Sequence, residues 1–286
     1  MTLEPVIEGD MNLREHLRRD AQRLAAVAER PRAEAELLWA HALGLSRAQL
    51  LTRDREVPAK ESAGSASSLI ERRVRGEPVA YLLGRRDFWS LSLQVTPAVL
   101  IPRPETELLV EWALEGLPDG RDVSVADLGT GSGAIALAIA AERKQARVVA
   151  TDCSADALAL ARSNAQSNDI ANVDFRRGDW WNPLAGECFD MILSNPPYIA
   201  ENDLHLPALR CEPVIALTSG PEGLDAIRVI VAGAHSHLNA DGALRIEHGA
   251  GQGAAVRVLL AAAGFVQIET RRDYAGHERA TGARAP

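Results

Sequence analysis

Asp127-Leu128-Gly129-Thr130-Gly131-Ser132-Gly133 follows the apolar run Val123-Ser124-Val125-Ala126 and precedes Ala134-Ile135-Ala136-Leu137-Ala138-Ile139. A short apolar run closed by an acid and a glycine cluster reads as a buried strand, and the alanine-rich run after it as a helix. Glycines at alternate positions let the backbone turn tightly and approach a ligand, while the helix behind them offers unpaired N–H groups. Gly129, Thr130, Gly131, Ser132 and Gly133 are therefore candidate ligand-binding residues. Their spacing is Gly-x-Gly-x-Gly, which differs from the Gly-x-Gly-x-x-Gly that brackets a pyrophosphate.

Outward from this loop the chain alternates between strand and helix. Strands are predicted at Val123–Leu128, Val148–Thr151, Val173–Arg176, Phe189–Ser194, Ala243–Glu247 and Phe265–Thr270. Helices are predicted at Ala134–Glu142, Ala155–Asn168, Ala226–Leu238 and Ala254–Ala263. Such alternation specifies an α/β fold with a doubly wound, mostly parallel sheet. Ligands of these sheets bind beyond the carboxyl ends of the strands. Asp152 stands at such an end, about twenty residues past the glycine loop, where a carboxylate accepts both ribose hydroxyls. Gly178-Asp179-Trp180 closes the next strand. Asp179 is placed to accept from the exocyclic amine of adenine; Trp180 either stacks on the ring or packs in the core.

Asn195-Pro196-Pro197-Tyr198 follows the strand Phe189–Ser194. Prolines fix the backbone and lack N–H donors, leaving carbonyl oxygens free to accept. An amide or aromatic amine nitrogen is a poor nucleophile because its lone pair is delocalised. Two N–H groups donated to the Asn195 side-chain oxygen and the Pro196 carbonyl would hold such a nitrogen in one orientation, with Tyr198 packed on the planar group. Fixed orientation contributes up to roughly 7–11 kcal/mol to a reaction of this kind.

The first ~85 residues have a different texture, of short helices separated by breakers. Asn12 is placed to cap a helix carrying Leu13, Leu17, Leu24 and Val27. Arg32–Leu43 ends at Gly44, Lys60–Arg75 at Gly76, and Val79–Leu83 at Gly84. Phe88–Val95 partly alternates, and Thr96-Pro97 separates it from Val99-Leu100-Ile101, which predicts a hairpin linker. The expected organisation is an N-terminal helical bundle over residues 1–85, a hairpin linker over 86–103 and an α/β domain over 104–286.

A net charge of −8 argues against an affinity resting on a broad phosphate-neutralising surface. Three cysteines, Cys153, Cys188 and Cys211, without Cys-x-x-Cys spacing make a disulfide framework unexpected and fit a reducing compartment. His235 and His237 read as a polar helix face, and no metal site is expected. Met1 to Met11 holds Glu4, Glu8 and Asp10 and no apolar run, unlike a signal peptide. A cytoplasmic protein without a membrane span is expected.

A ribose-binding acid and an adenine-binding acid on successive strand ends resemble the S-adenosyl-L-methionine site of class I methyltransferases. Asn-Pro-Pro-Tyr resembles the motif of those that act on planar NH2 groups. Four more stretches are similar to one family: Leu100-Ile101-Pro102-Arg103-Pro104-Glu105-Thr106-Glu107, Asp127 through Leu137, Glu247-His248-Gly249 with Gln252, and Asp273-Tyr274-Ala275-Gly276-His277-Glu278-Arg279. The resemblance is to the bacterial release-factor glutamine methyltransferases of the HemK/PrmC type, and it spans essentially the whole chain. It implies methylation of the side-chain amide nitrogen of the glutamine in the Gly-Gly-Gln motif of class 1 peptide chain release factors. It also implies that Gly129 to Gly133, Asp152, Trp180 and Asn195 contact S-adenosyl-L-methionine, and that Asn195 to Tyr198 contact the glutamine. Ser132 stands where the family loop commonly has threonine. The helical N-terminal domain would help hold the release factor, with Arg72, Arg73, Arg75, Arg85 and Arg86 as contributors unless they form only a solvated face. A monomer without stable nucleic-acid binding is expected.

Four other readings explain part of the pattern. A DNA adenine methyltransferase shares the glycine loop and Asn-Pro-Pro-Tyr but requires a target-recognition region and a basic groove. The related methyltransferase of a ribosomal-protein glutamine fits less well with Ile101-Pro102-Arg103-Pro104-Glu105-Thr106-Glu107. A nicotinamide oxidoreductase accounts for the glycines and Asp152 but not for Asn195 to Tyr198. A non-catalytic cofactor- or RNA-binding scaffold has no need of an intact nucleophile-binding loop.

Overall fold

Asn12 begins the first helix, α1 (Leu13–Leu24), with a reciprocal cap: its side chain accepts from the Glu15 N–H, and the Glu15 carboxylate accepts from the Asn12 N–H. A cap of this kind is worth about 1 kcal/mol. The computed structural model describes residues 11–286; residues 1–10, read above as no leader, lie outside the described residues. Two compact units make up the chain, Met1–Gly84 and Arg85–Pro286.

In the first unit α1 is followed by α2 (Pro31–Leu43), α3 (Arg47–Thr52), α4 (Lys60–Val74) and α5 (Val79–Leu83). Pro31 opens α2, and Gly44 and Gly84 end α2 and α5 in the left-handed conformation that glycine adopts without strain. Val27, expected within the first helix, lies three residues past its end and is exposed. The six-residue α3 was not anticipated, because its single buried side chain, Leu50, gives no periodicity. Leu17, Leu24, Leu38, Trp39, Leu50 and Ile70 form the core. Trp39 donates its indole N–H to the buried carboxylate of Asp20 at 2.9 Å, and Arg19 and Arg23 neutralise that carboxylate. Arg72 and Arg73 are not a free basic face: Arg72 pairs with Glu77 and Arg73 with Glu34.

The second unit begins with a hairpin offset from the expected one. Its strands are β1 (Arg85–Phe88) and β2 (Leu91–Gln94), joined at Trp89, which turns the chain with φ 57°. Val99–Ile101 is not a strand; Val99 and Ile101 are buried as irregular chain. Phe88, Leu91 and Leu93 enter the core of this unit, and the Gln94 N–H donates to Asn164 Oδ1 at 2.7 Å.

Next come α6 (Glu107–Gly116), β3 (Ser124–Leu128), α7 (Ala134–Glu142), β4 (Arg147–Asp152), α8 (Ala155–Ser167), β5 (Val173–Arg177) and β6 (Phe189–Ser194). They are followed by α9 (Asp225–Ala234), β7 (Leu238–Glu247), α10 (Gly253–Ala262), β8 (Val266–Arg272) and β9 (Glu278–Arg284). Strand order is β5-β4-β3-β6-β7-β9-β8, parallel throughout except for β9, which is antiparallel to both neighbours. The helix expected to reach Leu238 ends at Ala234, and a 3-10 turn over His235–His237 leads into β7. Both histidines pack: His235 stacks on Phe265 and His237 on Trp181. No helix among the described residues is long and apolar enough to cross a membrane.

Two apolar clusters cover the faces of the sheet, one drawing on α6 and α7, the other on α9 and α10. The winding reverses between β3 and β6, and at such a switch point the carboxyl ends of two strands open side by side. Leu128 and Ser194 are register partners there, and the Ser194 hydroxyl donates to the Leu128 carbonyl at 2.7 Å. The glycine loop and the Asn195 loop therefore leave the sheet next to each other.

Candidate active site

Gly129, Gly131 and Gly133 have φ of 74°, 56° and 88°, all in the left-handed region that other residues rarely adopt. The Gly129 and Thr130 N–H groups both donate to the Thr151 carbonyl at 2.9 Å, which fastens the loop to β4. Asp152, ending β4, accepts the Gly131 N–H on Oδ2 and the Ser154 N–H on Oδ1, each at 2.9 Å. A carboxylate offers about four lone-pair positions, so two remain for a ligand. Below the loop lies Asp127, fully buried. Its Oδ2 accepts from the Thr130 hydroxyl at 2.6 Å and the Ala136 N–H at 3.2 Å, and its Oδ1 has no partner. Burial pushes its pKa up to about 7. Asp127 thus knits the loop to the helix behind it, a role not assigned to it in the sequence.

A cavity of about 380 Å³ opens at the switch point. Gly129, Thr130, Gly131, Ser132, Asp152, Asp179, Trp180, Asn195 and Pro197 line it. Gly133, Pro196 and Tyr198 do not: Gly133 caps α7 and Pro196 is buried. Trp180, with φ 44°, packs on the core and also faces the cavity, its ring close to Gly129. Unforeseen walls come from Val99, Leu100, Pro102 and Thr106, and from Pro213, Ile215 and Ser219. Leu100 to Thr106 lies in a stretch the family pattern marks; the segment around Ile215 carries no motif that would have singled it out.

The Asn195 side chain donates from Nδ2 to Thr106 Oγ1 at 3.1 Å, and its Oδ1 is buried without a partner. Tyr198, expected against a planar substrate group, donates its hydroxyl to Glu247 Oε1 at 3.3 Å. The reason is burial: its phenol needs an acceptor, and desolvation holds its pKa above the usual tyrosine range. Glu247, the last residue of β7, is 1% exposed. Desolvation pushes its carboxyl up to about 7, against the opposing pull of Thr106, Arg279 and Tyr198. Gln252 holds the far side of the loop, donating from Nε2 to the Tyr198 carbonyl at 2.9 Å and accepting the Gly249 N–H on Oε1 at 2.8 Å.

Arg103 pairs with the buried Glu212, which also accepts the Ile101 N–H at 3.0 Å. Glu107 accepts the Trp89 N–H at 2.9 Å and so secures the hairpin turn, whereas Glu105 is exposed. Arg103 and Glu107 therefore hold the backbone that carries Thr106.

The donor set suits a ribonucleoside: two free lone-pair positions on Asp152, a second acid at Asp179, an indole face and closely approachable glycine backbone. Strand order with β9 inserted antiparallel, and a glycine loop opening at the switch point, is the fold of the class I methyltransferases. Residues 105–210 match the family described as Methyltransferase small domain, and residues 15–84 match the PrmC N-terminal domain. The release factor glutamine methyltransferase of Xylella fastidiosa is 53% identical over 266 residues, 92% of this chain and 97% of that protein. The Escherichia coli protein of the same name is 44% identical over 269 residues, 93% of this chain and 97% of its own. A T. thermophilus 16S rRNA methyltransferase, solved in complex with AdoMet and guanosine, shares the fold at TM-score 0.55 and 20% identity, over 71% of this chain and 50% of its own. The chain belongs to the release factor glutamine methyltransferase family.

Proposed function

We propose that this enzyme methylates the side-chain amide nitrogen of the glutamine in the Gly-Gly-Gln motif of class 1 peptide chain release factors, with S-adenosyl-L-methionine as donor. The observation that carries the reading is Asn195 Oδ1, a buried acceptor without a partner on a residue that walls the cavity. Leaving such an atom unsatisfied costs about 1–3 kcal/mol, and an amide N–H arriving from a substrate removes that cost. S-Adenosyl-L-methionine supplies an electrophilic methyl group when bound. Asp152 would hold its ribose hydroxyls, Asp179 and Trp180 would meet its adenine, and the glycine loop Gly129 to Gly133, lining the cavity through Gly129 to Ser132, would approach it closely. Asn195 Oδ1 and the Pro196 carbonyl accept the two amide N–H groups and hold the amide plane, so that orientation lowers the barrier for a nitrogen of little intrinsic reactivity. Pro197 walls the pocket beside it, and Tyr198 keeps the loop in shape through Glu247.

In this reading residues 104–286 carry the chemistry and residues 1–85 hold the release factor. Remote contacts of that kind supply binding energy that a free amino acid lacks. The working unit is a single chain in the cytoplasm with no stable nucleic-acid partner. Incubation with labelled S-adenosyl-L-methionine and separate acceptors tests it. Label in a folded class 1 release factor and almost none in free glutamine supports the reading; label in DNA, with the release factor untouched, sinks it.

A further inference from the structure

Trp112, on α6, is shared by two guanidiniums. Arg245 of β7 and Arg271 of β8 stand 4.6 and 4.7 Å from the centre of its ring, within cation–π distance. Arg271 is also held by carboxylates, Glu115 at 2.6 Å and Glu269 at 3.0 Å. Arg245 is not. Among the described residues its one hydrogen bond runs from Nη1 to the Trp112 carbonyl, and no ion pair reaches it. It is nonetheless only 7% exposed. Burial, and then the like charge of Arg271, pull its pKa down to about 10, so it remains a cation at neutral pH.

A buried arginine is ordinarily paired, because a counter-charge offsets its lost hydration. Here the Trp112 carbonyl takes one of five N–H donors and the ring face part of the charge. The room for a counter-charge is beside it. Arg245 walls a cavity of about 290 Å³ on the α6 face of the sheet, which shares no lining residue with the cavity at Asn195. Two glycines make room for the ring and the guanidinium: a Cβ at Gly116 would stand 2.7 Å from Arg245 Nη2, and one at Gly282 2.6 Å from Trp112 Cη2. Arg284 of β9 lines the same cavity and, with Arg271, acts against the charge of Arg245. The two carboxylates that line it, Glu115 and Glu269, have side chains 58% and 57% exposed and are committed to Arg271. The inner wall is therefore cationic, and the acids stand at the rim.

We propose that this cavity binds a small oxyanion, a phosphate or a carboxylate group, with Arg245 as its buried anchor and Arg284 as a second donor. A guanidinium presents paired N–H groups in a fork that fits either group, and such charge-assisted bonds are about twice as strong as neutral ones. The ligand gives Arg245 the counter-charge that the chain does not supply. Of the charged groups lining the cavity, Arg245, Arg271 and Arg284 attract it, and Glu115 and Glu269 oppose it. The site stands independently of the methyl-transfer reading.

The test is calorimetric titration of the full chain with inorganic phosphate, and separately with acetate, at fixed ionic strength. S-Adenosyl-L-methionine is present throughout, to occupy the other cavity. A saturable site is expected for at least one of the two anions, and the tighter of them identifies the class. Arg245→Leu should weaken that binding at least about tenfold and Arg284→Gln about threefold, whereas Glu269→Gln, which removes an opposing charge, should tighten it. Should Arg245→Leu fail to fold, Arg284→Gln and Glu269→Gln decide. Absence of a saturable site for either anion overturns the proposal. So does binding of wild-type strength in Arg245→Leu or Arg284→Gln, or weaker binding in Glu269→Gln.

Discussion

Gln252 Nε2 lies 2.9 Å from the Tyr198 carbonyl oxygen and also donates to the Glu222 and Gly223 carbonyls at 3.1 and 3.3 Å. One side chain thus joins the loop after β6, the turn before α9 and the start of α10. Gln252→Ala should leave these carbonyls short of a donor and lower stability by about 1–3 kcal/mol. Chemical denaturation of mutant and wild type measures this, and equal midpoints with equal slopes would show that the clamp contributes nothing.

Gly223 has φ +71°, and a Cβ added there would stand 2.1 Å from the Tyr198 carbonyl oxygen. Backbone, not a flexible side chain, is in the way. Gly223→Ala should therefore displace the Asn195–Tyr198 loop and abolish most methyl transfer, with a stability loss larger than the roughly 0.4–1 kcal/mol that a glycine-to-alanine change gains where the backbone permits alanine. Activity and melting temperature together check this; a fully active, equally stable variant would show that the loop does not depend on the close approach.

Asp152→Ala should weaken S-adenosyl-L-methionine binding strongly, because bonds to a charged acceptor are worth about 1.5–3 kcal/mol each. It also frees the Gly131 N–H that Asp152 now holds. Calorimetric titration reports the affinity. Equal affinity in mutant and wild type would remove Asp152 from the cofactor site.

Asp127 and Glu247 rise from ordinary values of 3.8 and 4.5 to about 7, in both cases chiefly through burial. Each binds its proton more tightly folded than unfolded. Their contribution to stability is present below the unfolded values and is lost as pH rises through the folded ones. The melting temperature should therefore fall between about pH 5 and about pH 8, and Asp127→Asn or Glu247→Gln should fall less over the same range. Parallel curves for variants and wild type would contradict the raised values.

What the sequence made legible was local. The glycine loop, Asp152 and Asn195-Pro196-Pro197-Tyr198 each announce themselves within a few residues, and the parallel alternation places them at strand ends. β9 was illegible because Ala280, Gly282 and Ala283 carry no β signal; pairing with β7 on one side and β8 on the other holds the strand. The hairpin was misplaced because Arg85 and Arg86 do not look like a strand until Leu93 and Gln94 pair with them. The supports of the site were hidden for a related reason. Thr106 meets Asn195 across 89 positions, and Arg103 meets Glu212 across 109. No local pattern encodes either pair.

The most direct measurement is fragmentation mass spectrometry of a class 1 release factor after incubation with the enzyme and S-adenosyl-L-methionine. The account predicts one added methyl group, on the side-chain amide of the Gly-Gly-Gln glutamine, lost or strongly reduced with Asn195→Ala. An unmodified glutamine, or a methyl group placed on another residue, would contradict it.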